Sequence, residues 1–359
     1  MRIAYVAKGN FASGAGVLRK IDGQTGVWRG TGNETRLFAL TTATAGNIRP
    51  LCPADVILAG RGTSRFSACR ELLSRIARWQ PDVVYLRYCS YQPGFSALFE
   101  LAPVVIEINA DDTKEIRLVS RKSHFYNLAT RRRQLSRASG FAFVTNELAE
   151  SPSFSDFAAP RVVIGNGISL SEIPCRLAPQ SRTQPRLFFI GSPNFGWHGV
   201  DKMSWLASHR PSWHFDVVGM SEEQKSSVPA NMDTHGLLAK DRYIHLLLGA
   251  DVAISTLALH RNGLDEASPL KTREYLAAGV PTIIGYRDTD FPDDAPFLLR
   301  LPNVEENVLR ELERIDAFVH RMRGVTVSRE SVEHLDWSRK EPARLDLFRE
   351  VLARRHDPS

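Results

Sequence analysis

The densest concentration of reactive side chains lies in Glu266-Ala-Ser-Pro-Leu-Lys-Thr-Arg-Glu274-Tyr-Leu-Ala-Ala-Gly279, where two carboxylates separated by seven residues bracket a serine, a proline and a lysine. Lys271 is the informative residue. If a helix begins just before it, its ammonium sits in a first turn that already carries partial positive charge and free N–H groups, a costly position unless an anion also sits there. Ser268, Pro269 and Lys271 therefore read together as a phosphate site. A competing reading pairs Lys271 with Glu274 at i,i+3 on a solvated helix face, worth about 0.2–0.5 kcal/mol, and leaves Glu266 as an ordinary loop acid.

The flanking residues say which elements must hold this stretch. Asp251-Val-Ala-Ile-Ser-Thr256 before it and Val280-Pro-Thr-Ile-Ile284 after it are short β-rich runs, so the segment reads as strand, loop, helix, strand. Ser268 followed by Pro269 fits N-cap then N1, and Gly279 fits C′. Glu266 then lies in the loop ahead of the helix and Glu274 within it. Both would border a cleft at the carboxyl ends of the strands, where open α/β sheets bind ligands.

The rest of the chain repeats that alternation. Arg2–Ala7, Glu34–Leu40, Val56–Leu58, Asp82–Leu86, Pro103–Ile108 and Gly140–Val144 read as strands, with helices at Val17–Trp28 and Ser64–Trp79. The loop after the first strand, carrying Gly9, Gly14 and Gly16, opens a helix, where backbone must approach a phosphate or sugar; the alternative is a plain β–α turn. It matches neither G-x-G-x-x-G nor a P-loop. A polar, Pro-rich stretch at 174–185 reads as a linker. Alternation then restarts with strands Arg186–Ile190, His214–Val218 and Asp251–Ser255 and helices Val200–Ser208 and Asp241–Leu248. Further helices are expected over Val304–Arg323 and Trp337–Arg355. The expected domains are 1–173, 186–336 and a terminal helix at 337–359, all within an α/β, doubly wound class.

A chain of 359 residues, 43% hydrophobic and 24% charged, is globular in composition and long enough for two cores. Its net charge of +6 favours anionic partners, whether nucleotide phosphates, anionic lipid or nucleic acid. Cys52, Cys69, Cys89 and Cys175 are scattered, signalling neither a zinc site nor a disulfide framework, and read as reduced thiols in a cytoplasmic protein. No window approaches a membrane span.

The order of several segments resembles the family-four retaining glycosyltransferases, of the group 1 type with the GT-B fold. Those segments are Asn166-Gly-Ile168 ahead of the linker, Phe189-Ile-Gly191, Val217-Val-Gly219, the Glu266-x7-Glu274 spacing, and Ser268-Pro-Leu-Lys-Thr-Arg-Glu-Tyr-Leu-Ala-Ala-Gly-Val-Pro281. The resemblance implies two Rossmann-like domains facing a cleft, with the terminal helix crossing back onto the first domain. It implies that Glu274 binds ribose hydroxyls of a nucleotide-diphosphate sugar and that Glu266 contacts the transferred sugar. Backbone N–H groups over the segment Ser268-Pro269-Leu270, those of Ser268 and Leu270, would face phosphate and sugar hydroxyls, Leu237 would cover the base, and Gly14 and Gly16 would approach the diphosphate. Where the family often places an arginine and a lysine, this chain has Ser192 and His198; His198 would donate to phosphate, with Lys271 supplying charge. Asn109 and Asp111, after the strand ending at Ile108, stand where related enzymes have a histidine or acid near the reacting sugar. An N-cap role for Asp111 or Asp112 is the alternative.

The activity implied is that of a retaining hexosyltransferase, acting on a glycan or lipid-linked hydroxyl acceptor in cell-surface polysaccharide or glycolipid synthesis. No metal is expected, and Asp288-Thr-Asp290 reads as a solvated loop pair. The basic run Arg117–Arg137 would suit an anionic membrane surface, giving a cytoplasmic protein peripheral to the inner face; a solvated arginine face is the alternative. Epimerases and phosphorylases of the same fold, and a basic nucleic-acid-binding protein, are the competing classes, although no nucleic-acid module is present and no nucleic acid is expected.

Overall fold

The computed structural model describes residues 1–9, 11, 16–42, 50–59, 63–176, 183–192, 195–220 and 228–356. The chain forms two compact units, Met1–Gly165 with Trp337–Ser359, and Asn166–Asp336. The first unit therefore receives the last segment of the chain.

In the first unit the strands are β1 (Arg2–Gly9), β2 (Glu34–Thr41), β3 (Ala54–Leu58), β4 (Val83–Arg87), β5 (Val104–Ile108), β6 (Gly140–Phe143) and β7 (Arg161–Val163). They make one seven-stranded sheet in the order β3-β2-β1-β4-β5-β6-β7, every pairing parallel. A parallel sheet is covered on both faces, which is why β5 is buried along its whole length. Alternation sorts the side chains: Ile3, Tyr5 and Ala7 of β1 share a cluster with Leu18, Ile21 and Trp28 of helix α1 (Gly16–Gly30). The C-terminal helix, Trp337–His356, adds Leu345, Phe348 and Val351 to that cluster. Helix α2 (Thr63–Trp79) links β3 to β4, and α3 (Asp112–Val119), α4 (Arg121–Thr130) and the short α5 (Arg132–Leu135) link β5 to β6.

The second unit repeats the plan. Strands β8 (Arg186–Ile190), β9 (His214–Val218), β10 (Met232–Thr234), β11 (Val252–Ile254), β13 (Thr282–Ile284) and β15 (Leu298–Arg300) form a parallel sheet ordered β10-β9-β8-β11-β13-β15. Both sheets thus start in the middle, run to one edge, and resume on the other side of their first strand, the doubly wound order with a switch point beside β1 and β8. Helices α6 (Val200–His209) and α9 (Leu312–Met322) bury Met203, Leu206, Ile315 and Phe318 against one face through Leu187, Phe215 and Val252. Helices α7 (Lys240–Leu248) and α8 (Leu270–Ala277) bury Tyr243, Leu247 and Tyr275 against the other through Phe188, Val218 and Ala253.

Several expected boundaries move. The units part at Gly165/Asn166, ahead of the stretch read as a linker, because the backbone amide of Asn166 donates to the Ser268 hydroxyl at 2.6 Å and its side-chain amide donates to the Ser268 carbonyl at 2.6 Å. The helix expected over Val304–Arg323 divides into Asn307–Arg310 and α9, with Glu311 between them at φ −106° and ψ 18°. Glu266 is not in a loop: Glu266–Ala267 (β12) pairs in parallel with Arg287–Asp288 (β14) as a separate two-stranded ribbon.

Candidate functional site

Helix α8 is held on several sides by polar contacts that no local pattern announces. The Arg273 guanidinium is fully buried, with NH1 2.5 Å and NH2 2.8 Å from the two Asp288 oxygens, a further bond to Asp290, and Nε donating to the Asn166 carbonyl at 3.2 Å. Asp288 and Asp290 are accordingly not a solvated pair. They are counter-ions, and their oxygens are occupied by a guanidinium rather than presented to a metal. The Thr272 hydroxyl lies 2.6 Å from that of Tyr286 and 2.8 Å from that of Ser255, tying the helix to the ends of β11 and β13. The Tyr275 hydroxyl accepts from the Ile190 amide at 2.9 Å, tying it to β8.

The cap also differs from expectation. Pro269, extended at φ −71° and ψ 136°, is the N-cap, so the helix starts one residue later than Ser268 would set it; the Ser268 hydroxyl is taken by Asn166 instead. At the other end Gly279 is at C′ with φ +82°, its amide bonded to the Leu276 carbonyl and that of Val280 to the Tyr275 carbonyl. That is the double bond of a Schellman cap, which needs a residue comfortable in the left-handed region.

With Thr272, Arg273 and Tyr275 turned into the fold, Lys271 and Glu274, three apart, share another face. The Lys271 ammonium lies 3.2 Å from His198 Nδ1 and 4.3 Å from the Phe189 ring centroid. Burial lowers the Lys271 pKa to about 7. Burial first, and the Lys271 charge second, push His198 down to about 2. Two basic groups thus converge where the N–H groups of the first helical turn have no intrahelical partner. Glu274 is buried and accepts from the Tyr243 hydroxyl at 2.9 and 3.1 Å through its two oxygens. Glu266 is buried on β12, 3.6 Å from the Arg287 guanidinium.

The strand ends beside α8 are stripped of side chains. Gly219, after β9, has φ +93°, its amide donates to the Gly236 carbonyl at 2.6 Å, and a Cβ there would run into the Gly191 carbonyl. Leu237, next to Gly236, is 78% exposed, and Pro269 and Leu270 are half-buried at the helix start. Gly16 is the first residue of α1; Gly14 lies outside the described residues.

The first unit places Asn109 beyond β5 with its side-chain oxygen accepting from Lys20 at 2.7 Å. The same ammonium is 2.8 Å from Glu107, which also accepts from Arg87 at 3.0 Å and from the Tyr5 hydroxyl at 3.2 Å. Burial alone would raise the Glu107 carboxyl, but Lys20, Arg87 and Arg344 outweigh it and hold the group well below the usual range. Lys20 is pushed down to about 8 by burial, with Glu107 opposing. The hydrogen bond from Lys20 turns the Asn109 amide nitrogen away from the lysine. Asp111 is the N-cap of α3: its carboxylate accepts from the Thr113 amide at 3.0 Å, and from the Thr113 and Ser153 hydroxyls at 2.6 and 2.9 Å. The basic run is not uniform either, since Arg131 turns inward to bind Asp112 through two bonds of 2.9 Å.

Tyr243, Arg273, Asn166 and Lys20 acquire their roles from partners between 15 and 107 residues away in the chain. Lys20 carried one local signal. It shares the i, i+4, i+8 row with Gln24 and Trp28, the buried face of α1.

No protein-family profile matches the sequence, and no curated protein matches it. Solved structures do match in shape. Sucrose-phosphate synthase from Thermosynechococcus elongatus superposes with a TM-score of 0.72 at 14% identity, covering 98% of this chain and 99% of that one. Anabaena HepE, solved with UDP and glucose, gives 0.65 at 12% identity over 98% and 100% of the two chains. The lipopolysaccharide outer core galactosyltransferase WaaB gives 0.62 at 10% identity over 99% and 100%. The α/β chain, with its two parallel sheets, has the GT-B fold of these glycosyltransferases.

Proposed function

We propose that the chain is a retaining glycosyltransferase, moving a sugar from a nucleotide-diphosphate sugar to a hydroxyl of a glycan or lipid-linked acceptor. The observation that carries this reading is the start of α8. A desolvated lysine and histidine, together with unshared backbone N–H groups, wait there for an anion, three residues from a carboxylate held by Tyr243. The diphosphate occupies the Lys271, His198 and Leu270 end, while Glu274 receives the ribose hydroxyls and Glu266 the transferred sugar. Leu237 covers the base.

In the reaction the bond from the anomeric carbon to the phosphate oxygen breaks and the acceptor oxygen bonds to that carbon on the same face. The acceptor proton passes to the departing phosphate oxygen. Lys271, His198 and the helix amides stabilise the charge that develops on the leaving group. No divalent metal is required in this reading, since Lys271, charged once the diphosphate is bound, and the helix amides supply the positive field. Asn109, oriented by Lys20, offers its amide nitrogen to the donor sugar or acceptor hydroxyl, and Asp111 shapes the same loop as the α3 cap.

The acceptor belongs to cell-surface polysaccharide or glycolipid synthesis, and the protein works at the cytoplasmic membrane face. Exposed Arg121 and Lys122 lie on α4 with exposed Phe125 and Leu128, and exposed Arg117 on α3 and Arg132 and Arg133 on α5 flank that helix in sequence, a composition suited to an anionic lipid surface. No described helix is long and apolar enough to cross a membrane.

The test is calorimetric titration with UDP-, GDP- and ADP-sugars in EDTA, with UDP-glucose first because HepE was solved with UDP and glucose. One donor class should bind, and Glu274→Ala and Lys271→Ala should each abolish or severely weaken it. An intact fold that binds no donor refutes the assignment.

A further inference from the structure

A second cluster of cations lies at the opposite end of the first sheet from Asn109. Arg2 opens β1, Arg36 is the third residue of β2, Asp55 the second of β3, and Arg75, Arg78 and Trp79 close α2. Because the three strands are parallel, these residues gather at their amino ends, and they line a cavity of about 390 Å³. That size suits a small ligand.

The charges in the cavity do not balance. Four guanidinium groups face one carboxylate. Asp55 is shared, 3.4 Å from Arg36 Nε and 2.9 Å from Arg75 NH1. Glu34 answers Arg2 at 3.3 Å, Asp82 accepts from the Arg2 backbone amide at 2.7 Å, and Glu71 answers Arg75; Arg78 has no acidic partner among the described residues. The Arg2 guanidinium stacks over the Trp79 ring at 4.8 Å and donates to the Gln80 carbonyl at 3.3 Å. Gln80 sits at φ +51°, a left-handed conformation that a non-glycine residue adopts at a cost, and its carbonyl helps hold Arg2 in place. Stacking leaves the edge of a guanidinium open, so Arg2, with Nε beside Glu34 and NH1 on Gln80, keeps NH2 for a ligand, and guanidinium donors match phosphate geometry well.

We infer that this cavity is a binding site for a small phosphate-bearing molecule, separate from the α8 site and independent of the proposed transferase activity. The α2 carboxyl end explains a preference for some positive charge, but a cation or two satisfies it. Carboxylates answer Arg2, Arg36 and Arg75, so the unmatched charge that an anion would answer is that of Arg78, beside a carboxylate shared by two guanidinium groups.

The experiment titrates inorganic pyrophosphate into the full-length protein by calorimetry at about 0.15 M salt, near physiological screening. Lys271→Met removes the cation at the α8 site and weakens anion binding there, so that substitutions in the arginine cavity can be read on that background. On that background Arg78→Ser, an exposed helix position, should weaken binding by about fivefold or more through a lost charge-assisted contact, and Asp55→Asn should tighten it severalfold by freeing Arg36 and Arg75. Absence of pyrophosphate binding to Lys271→Met at millimolar concentration overturns the inference. So does binding that neither Arg78→Ser nor Asp55→Asn changes by twofold, since the anion would then be held elsewhere. The opposite signs expected of the two substitutions separate a site effect from general loss of structure.

Discussion

Donor binding should be linked to proton uptake by Lys271, and the size of the linkage follows from its surroundings. Burial holds the ammonium at a pKa of about 7 in the free protein. A diphosphate at 3–4 Å restores it toward its ordinary value of about 10.4. The diester linkage of a nucleotide sugar does not itself titrate between pH 6 and 8.5, and His198, at about 2, is neutral in the free protein throughout. At pH 6 nearly every free molecule carries the charge; at pH 8.5 about one in thirty does. Affinity should therefore fall about thirtyfold across that window, or roughly 2 kcal/mol at 1.36 kcal/mol per pKa unit. Calorimetry in two buffers of different ionisation enthalpy should show close to one proton taken up per donor bound at pH 8.5 and almost none at pH 6. Lys271→Met should bind more weakly at pH 6 and lose the slope. An affinity that is flat in the wild type, or a slope that survives in Lys271→Met, refutes the reasoning.

The same lysine should leave a mark on stability. Its folded pKa lies below its unfolded value, so the unfolded chain binds more protons between about pH 7 and 10.4, and stability contributed by this group rises with pH over that range. Lys271→Met should accordingly raise Tm at pH 6 and much less near pH 10; an equal gain at both would contradict the burial account. Arg273→Met should cost about 3–5 kcal/mol in denaturant unfolding, because it strands Asp288 and Asp290 beneath α8, and a loss under 1 kcal/mol would show that the pair is not buried against it. Gly219→Ala meets both a positive φ and the Gly191 carbonyl, so it should cost about 2 kcal/mol or more and lower Tm by several degrees; a neutral outcome would mean the strand ends are looser than described. Tyr243→Phe should keep the fold but weaken donor binding by about tenfold, since Glu274 loses the hydroxyl that sets its orientation, and unchanged affinity would remove Glu274 from the donor site.

Much of the scaffold was legible because its signals are local. Runs such as Val104–Ile108 and Val252–Ile254 are short, rich in β-branched residues and almost wholly apolar, which is the pattern of a strand inside a covered parallel sheet. Gly279 announced a helix end, and the structure places it at C′ with a left-handed backbone. The loss of fidelity begins where a residue's role depends on a distant partner. Ser268 looked like an N-cap because cap preference is local, but Asn166, 102 residues earlier, claims its hydroxyl. Asp288 and Asp290 looked solvated because two acids in a Pro-rich loop usually are; a buried guanidinium from α8 makes them counter-ions instead. Arg131 looked like one more member of a basic face, but Asp112 draws it inward.

By itself the sequence determined the alternation of strand and helix, the restart of that alternation in a second unit, and the residue types that converge around α8. These rest on periodicity, capping and composition, which act over a few residues and survive in the linear chain. Only the tertiary structure decided which polar groups are occupied: that Lys271 faces His198 and Phe189, that Glu274 is held by Tyr243, that Asn109 is turned by Lys20, and that four arginines share one cavity. The physical reason is that a buried charge must be answered wherever the fold brings a partner within about 3 Å, and that choice is made by packing, with no trace in local sequence.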